Sequence, residues 1–159
     1  MAELVVPEIE VLIAASLWLW HTKALPVQFS IASGQGIDSQ TDQDRLVKAL
    51  DSAGVPSKPR SFVSSGPDIV AISSSRHWQI ECKGAGAGKP STQRNNFDRA
   101  VTSVVSYYTD TSPIDIPELQ DATPTLGLAL PATRSYLALA KARLPLALRN
   151  RLNLWLLIY

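Results

Sequence analysis

The segment PDIVAISSSRHWQIECKG, residues 67–84, constrains the fold more than any other part of the chain. Its apolar and β-branched residues, interrupted by a run of serines, predict a β-hairpin with strands at 68–73 and 77–83. The bend is expected at Ser74 and Ser75, where the apolar pattern stops. The chain is therefore expected to contain a sheet that includes these two strands.

Side chains alternate along a strand, so Gln79, Glu81 and Lys83 are expected to share one face. The opposite face is apolar and is expected to enter the core through Trp78, Ile80 and Cys82. Asp68 would lie opposite or diagonal to Glu81 on the neighbouring strand. Two anions so placed repel each other unless a cation lies between them. A hard divalent cation such as Mg²⁺, which prefers oxygen ligands, fits such a pair.

Pro67-Asp68 followed by Glu81-x-Lys83 resembles the motif of the PD-(D/E)xK phosphodiesterase superfamily, the restriction-endonuclease-like nucleases. The resemblance implies an α/β fold with a restriction-endonuclease-like core, in which helices flank a mixed central sheet. It also implies a metal-dependent nuclease that hydrolyses phosphodiester bonds of nucleic acid, DNA in preference to RNA. Asp68 and Glu81 would ligate Mg²⁺ or Mn²⁺, with the backbone carbonyl of Cys82 as a further ligand. Lys83 would orient the attacking water or stabilise developing negative charge.

The same resemblance extends the set of site residues. Gln93 stands in the first turn of a predicted helix, where many superfamily members carry a polar residue near the metal. It therefore joins Asp68, Glu81 and Lys83 as a candidate catalytic residue. The candidate nucleic-acid contacts are Gln79, Lys89 and Arg94.

One position departs from the family pattern. The first core helix of the family often carries a metal-binding Glu, and with that helix placed at 41–55 its position is taken by Gln43. A neutral amide oxygen binds Mg²⁺ less strongly than a carboxylate does. Substitutes could come from Asp42, Asp44 or Glu10, although a solvated helix face is the better explanation of each.

The predicted elements follow from periodicity and from helix start and stop signals. Helices are predicted at 7–24, 41–55 (with Thr41 as N-cap), 91–110 (with Ser91 as N-cap) and 135–152, the last interrupted at Pro145. Further strands are predicted at 61–64, 125–130 and 152–159, and 26–40 reads as a strand fragment and a loop around Gly34 and Gly36. The expected organisation is a single domain, with an α-β-β-β-α-β core and C-terminal helix and strand in 41–159. Residues 1–40 are expected to form an N-terminal extension of uncertain role.

Composition excludes several classes of protein. With 45% hydrophobic and 18% charged residues, the 159-residue chain is expected to be ordered. One cysteine and two histidines exclude an internal disulfide, a cysteine-cluster metal site and a zinc site of usual spacing. The apolar run VLIAASLWLW is only ten residues long, too short to span a bilayer. A cytoplasmic protein with no membrane partner is expected.

Charge gives no strong indication of a nucleic-acid partner. The net charge is +1. The first 75 residues hold five basic and eight acidic side chains, and the remainder holds ten and six. This gradient fits a phosphate-binding face and ordinary surface variation equally well.

The glycine-rich run GAGAGKPS, residues 84–91, invites comparison with a nucleotide-binding P-loop. That motif would need Gly at Lys83 and Ser or Thr at Pro90, and Pro90 also removes a backbone N–H from the loop. ATP or GTP hydrolysis is therefore not expected, and the loop is interpreted as a glycine-rich connector beside the candidate site.

Three interpretations of function remain open on the sequence alone. The first is a metal-dependent nuclease, which could act as a homodimer because nucleases that cut both strands often do. The second is a catalytically inactive nucleic-acid-binding or interaction module that keeps the fold, an alternative made serious by Gln43. The third is an unrelated α/β protein in which Asp68, Glu81 and Lys83 form only a surface cross-strand ion pair.

Overall fold

The structure, a computed structural model, describes residues 5–31, 39–109 and 123–159. Within these ranges the helices are α1 Glu8–His21, α2 Ser39–Ser52, α3 Pro90–Ser106, α4 Arg134–Arg143 and α5 Leu146–Leu152. The strands are β1 Leu25–Ser30, β2 Ser61–Val63, β3 Ile69–Ile72, β4 Arg76–Cys82, β5 Thr123–Leu130 and β6 Leu154–Ile158. A short 3-10 turn, Tyr107–Thr109, follows α3. The loop expected around Gly34 and Gly36 lies outside the described residues.

The six strands form one mixed sheet in the order β2-β1-β3-β4-β5-β6. Strands β1, β3 and β4 are successively antiparallel, whereas β5 is parallel to β4 and β6 is parallel to β5. Strand β2 is parallel to β1 at the other edge. The expected α/β class with a mixed sheet flanked by helices is confirmed. No helix among the described ranges is long and apolar enough to cross a membrane.

Each face of the sheet supports a separate hydrophobic cluster. Trp78, Ile80 and Cys82 lie on the face that packs against α1 and α2, as their alternation predicts. The other face carries Leu126 and Leu128 of β5 beneath Phe97, Val104 and Tyr136 of α3 and α4. The register pairs Gln79 with Leu126 and Glu81 with Leu128, so Gln79 and Glu81 belong to the α3 face.

The antiparallel meander differs from the expected one. Strand β2 does not neighbour β3, and β1 fills that place, so residues 8–30 lie in the core and are not an extension. The interpretation of residues 8–30 as part of an N-terminal extension was therefore wrong. The β1 sequence LPVQFS is buried on both faces and lacks a two-residue period, and Pro26 lies at a register shift. A proline at an irregularity of an inner strand interrupts the alternation from which a strand is predicted.

The remaining elements agree with their predicted positions to within a few residues at either end. The break at Pro145 separates α4 from α5 as expected. Ser91 is not the N-cap of α3, because Lys89 takes that place and Pro90 begins the helix. Pro is well suited to the first helical position, where its missing N–H would have no helical partner. Thr41 likewise lies inside α2.

Candidate functional site

Asp68 and Glu81 come together at the end of the β3–β4 hairpin opposite to its turn. Ile69 pairs with Ile80, so the next step of the same register sets Asp68 across from Glu81 on the α3 face. The backbone N–H of Cys82 donates a hydrogen bond of 2.7 Å to Asp68 Oδ2. The backbone carbonyl of Asp68 accepts from the N–H of Ser30 in β1. Asp68 is thus held between two antiparallel neighbours.

The two carboxyl groups are electrostatically costly in this position. Burial, and then the charge of Glu81, raise the pKa of Asp68 well above its ordinary value, although the Cys82 hydrogen bond acts in the opposite direction. Burial also raises the pKa of Glu81, against the lowering effect of Tyr107 and Lys83. Desolvated carboxylates with like-charged neighbours are typical of sites that bind a cation or transfer a proton.

Tyr107 is a site residue that the sequence analysis did not identify. Its hydroxyl donates a hydrogen bond of 2.6 Å to Glu81 Oε2. Burial, and then the bond to Glu81, raise the pKa of Tyr107, so the hydroxyl stays protonated and remains a donor. Tyr107 lies 26 residues after Glu81, in the turn that ends α3, and no local motif marks it.

Glu8 is the second residue that was missed. Its Oε2 lies 2.8 Å from Lys83 Nζ. Burial lowers the pKa of Lys83, but the hydrogen bond from Lys83 to Glu8 and the nearby carboxylates outweigh it and raise the pKa. Lys83 is therefore held protonated. Glu8 stands in the first turn of α1. If β1 had been recognised as the first strand of the meander, α1 would have been the helix that precedes it, and Glu8 would have been a candidate site residue.

A close backbone contact brings Glu8 to the site. Val6 and Ala85 form an isolated antiparallel bridge, with N–H to carbonyl distances of 2.7 and 2.8 Å. A Cβ at Gly84 would lie 2.5 Å from the backbone nitrogen of Glu8, so only glycine fits between the two segments. The hydroxyl of Tyr136 donates to the carbonyl of Gly84 at 2.9 Å. The first glycine after β4 is therefore a packing requirement that fixes the start of α1.

The other site residues predicted from the sequence do not all lie beside Asp68 and Glu81. Gln93 is buried in the first turn of α3. Gln79 is only 2% exposed beneath the α3 face, so its assignment as a nucleic-acid contact was wrong. Alternation predicted the face of Gln79 correctly, but α3 covers that part of the face. Lys89 and Arg94 are exposed at the start of α3.

The residues weighed as substitutes for a helix Glu have other partners. Arg45 pairs with Glu10 and, at 3.9 Å, with Asp42. Asp44 accepts a hydrogen bond from Gln40. The charges acting on Asp68 come from Glu81, Glu8 and Lys83. The helix carboxylate that contacts this site is therefore Glu8 of α1.

The oxygen donors at this site suit a hard divalent cation. In the parts of the chain that the structure describes, no group of three His, Cys, Asp or Glu side chains is placed to hold a metal. Mg²⁺ is commonly held by only one or two carboxylates, with water completing its octahedron. Asp68 and Glu81 supply two such oxygen donors, and a cation would relieve their repulsion. The pair fits Mg²⁺ or Mn²⁺ better than zinc, which prefers nitrogen and sulfur ligands.

Tyr107→Phe is expected to shift the pH dependence of this site. The Tyr107 hydrogen bond lowers the pKa of Glu81, so its loss should raise that pKa and delay formation of the carboxylate. Mn²⁺ affinity at slightly acidic pH should fall about tenfold. A loss of this size corresponds to the usual free energy of a hydrogen bond to a charged group. Titration calorimetry across pH measures this. An unchanged pH profile would show that the Tyr107 bond does not tune Glu81.

No protein-family model matches the chain, and no curated protein or solved structure matches it.

Proposed function

We propose that this protein is a metal-dependent nuclease that hydrolyses phosphodiester bonds of nucleic acid, DNA in preference to RNA. The observation that carries the proposal is the convergence of Asp68 and Glu81, with Lys83 adjacent, at one end of β4. Two partly buried carboxylates beside a protonated lysine are suited to binding a divalent cation and a phosphate together.

The element order supports a restriction-endonuclease-like core as part of this proposal. The succession α1, β1, β3, β4, α3 and β5 gives a helix, an antiparallel meander, a helix and a strand parallel to the meander's last strand. Helix α2 and strand β2 are then an insertion after β1. In this arrangement Glu8 takes the place of the family's helix Glu, which removes the departure attributed to Gln43.

Asp68 and Glu81 would hold the metal ion. The Cys82 N–H points toward Asp68, and the N–H and C=O of one strand residue point to the same side of the strand. The Cys82 carbonyl is therefore expected on the Asp68 side of β4, where it would serve as a further ligand. When bound, Mg²⁺ or Mn²⁺ lowers the pKa of a water ligand and neutralises charge on the phosphate.

Other side chains would position the reacting groups. Lys83 supplies an ammonium for the developing negative charge or for orienting water, and Glu8 keeps it protonated. Tyr107 restrains the Glu81 carboxylate in one orientation. Lys89 and Arg94, exposed at the start of α3, are suited to phosphate contacts that carry no sequence information.

Glu8→Gln is expected to shift the alkaline limb of the cleavage profile to lower pH. The charge and hydrogen bond of Glu8 raise the pKa of Lys83, and the amide removes the charge at nearly constant size. The two side chains are partly exposed, at 28% and 37%, so the rate at neutral pH should fall by about fivefold or less. Glu10→Gln is the matched control, because Glu10 is also in the first turn of α1 but pairs with Arg45. Equal profiles for the two variants would contradict this role of Glu8.

One observation favours the alternative of a catalytically inactive nucleic-acid-binding module. Lys83 is engaged by Glu8 rather than directed at the Asp68–Glu81 pair alone. A lysine that stays in this ion pair would serve to hold α1 against the sheet and would not assist hydrolysis.

The decisive experiment incubates the wild type and Glu81→Ala with excess Mn²⁺ and with linear, branched and single-stranded DNA and RNA. Cleavage by the wild type and by Glu10→Ala, but not by Glu81→Ala, is the expected result, and the panel identifies the substrate geometry. Equal cleavage by Glu81→Ala would reject the assignment. Binding of Mn²⁺ and nucleic acid without cleavage would support the inactive module.

A further inference from the structure

Three indole rings pack together at the end of β4 that lies away from the carboxylates. Trp18 of α1, Trp78 of β4 and Trp155 of β6 all lie on the α1 face. The ring centres of Trp78 and Trp155 are 5.5 Å apart at 68°, and those of Trp18 and Trp78 are 5.6 Å apart at 87°. Trp78 is 5% exposed, whereas Trp155 is 41% exposed. Part of the Trp155 ring system is thus accessible from solvent.

Arg76 lies over this cluster. Its guanidinium carbon is 5.1 Å from the centre of the Trp155 ring and 5.7 Å from that of Trp78. Among the described residues no carboxylate lies within ion-pair distance of Arg76. The aromatic rings hold the guanidinium by cation–π attraction but leave its N–H donors able to bind an anion.

A cavity of about 290 Å³ opens beside these side chains. None of the described residues that line it is acidic. The lining residues are Trp18, Thr22, Ala24, Ser73, Ser75, Arg76, Trp78 and Trp155. Its volume is at the lower end of the range for small-ligand sites, which suits one planar ring better than a larger molecule. We call this site the Trp–Arg cavity.

We propose that the Trp–Arg cavity binds single-stranded nucleic acid, with one base stacked on Trp155 and an adjacent phosphate held by Arg76. Aromatic platforms beside basic side chains are the usual means of binding single strands, because every base has a π-face and every nucleotide a phosphate. The hydroxyls of Ser73 and Ser75 add polar groups at the rim, and exposed Lys23 follows Thr22 at the end of α1. The lining therefore matches a flat, anionic ligand in shape and in charge.

The Trp–Arg cavity is separate from the carboxylate site. Arg76 and Glu81 are five positions apart on β4, about 16 Å at the usual rise per residue. They also point to opposite faces, Arg76 with Trp78 toward α1 and Glu81 toward α3. Strand binding in the cavity therefore does not depend on metal or on cleavage, and it goes beyond the nuclease proposal.

The test measures binding of a short, fluorescently labelled oligothymidylate to the full chain in EDTA, by anisotropy and by tryptophan emission. Trp155→Ala should weaken the affinity roughly 5- to 150-fold, the range for loss of one stacked base. Arg76→Gln should weaken it about tenfold, as expected for loss of a charged phosphate contact. Trp155→Phe should retain most of the affinity, because the smaller ring still stacks.

Matched controls separate this site from general attraction. Lys141→Gln removes an exposed charge on α4, and Trp20→Phe removes an indole outside the cavity, so both should bind as the wild type does. Inorganic polyphosphate, which lacks bases, should not quench the emission. Thermal melting identifies any variant that fails to fold, and Arg76→Gln tests the site independently of the β6 packing that Trp155→Ala could disturb.

Three results would overturn the inference. The first is wild-type affinity in both folded Trp155→Ala and Arg76→Gln. The second is that Lys83→Gln loses binding while Arg76→Gln keeps the wild-type affinity, which would place the strand at the carboxylates. The third is no binding of the oligonucleotide by the wild type. Since metal is absent throughout, failure to cleave nucleic acid in Mn²⁺ would not affect the result.

Discussion

Asp68→Asn is expected to abolish cleavage and, in the same protein, to stabilise the metal-free fold at neutral pH. The amide is nearly isosteric and can still accept the hydrogen bond from the Cys82 N–H. It removes the charge of a proposed metal ligand. The rate should therefore fall by more than about 100-fold, the largest loss typical of residues that only position a metal ligand. Activity and stability should therefore change in opposite directions.

The stability gain follows from the raised pKa of Asp68. Burial and the Glu81 charge raise the pKa in the folded state above the ordinary value of 3.8, so the folded protein binds the proton more tightly than the unfolded chain does. The resulting stabilisation is fully present below pH 3.8 and is lost as pH rises through the folded-state pKa. Asn carries no such penalty, so the difference between the variant and the wild type should grow toward neutral pH.

Thermal unfolding in EDTA at a series of pH values measures this difference. Asp44→Asn is the matched control, because it makes the same chemical change at a carboxylate that is exposed on α2. Added Mn²⁺ should raise the melting temperature of the wild type and not that of Asp68→Asn. A metal-free Asp68→Asn protein less stable than the wild type at neutral pH would show that the carboxylate is not strained in this position.

Gly84→Ala is expected to destabilise the protein by about 2–3 kcal/mol or more, in the upper range for overpacked positions. The added Cβ would lie 2.5 Å from the Glu8 nitrogen and 2.6 Å from the Val6 carbonyl oxygen. Both are backbone atoms, so no side-chain rotation relieves the overlap. The start of α1 must move away from β4, which would also separate Glu8 from Lys83.

Gly86→Ala provides the control within the same loop. The nearest atom to a Cβ at Gly86 is 4.0 Å away, and neither glycine has a positive φ. The two substitutions therefore make the same chemical change and differ mainly in the available space. Gly86→Ala should be neutral or stabilising by up to about 1 kcal/mol. Urea unfolding of both variants measures the difference in their free energies of unfolding. Equal stabilities would exclude the close approach of α1 at Gly84.

Local patterns predicted the β3–β4 hairpin. Alternation assigned Trp78, Ile80 and Cys82 to the core and Glu81 to the opposite face, because the direction of a side chain in a strand depends only on its position. The same alternation, with one step of register, predicted that Asp68 and Glu81 would be neighbours. Pro145 marked the break between α4 and α5 because proline cannot continue a helix hydrogen bond.

Tertiary structure alone decided how this hairpin is completed. Strand β1 is buried on both faces and carries Pro26, so its sequence lacks the two-residue period that marks a half-buried strand. Glu8 reaches Lys83 across 75 positions, and Tyr107 reaches Glu81 across 26. These contacts depend on how α1 and α3 pack against opposite faces of the sheet. The sequence by itself determined which side chains share a strand face, because backbone geometry over a few residues sets their direction. Only the packing of distant segments determined that the Glu8 carboxylate and the Tyr107 hydroxyl complete the site.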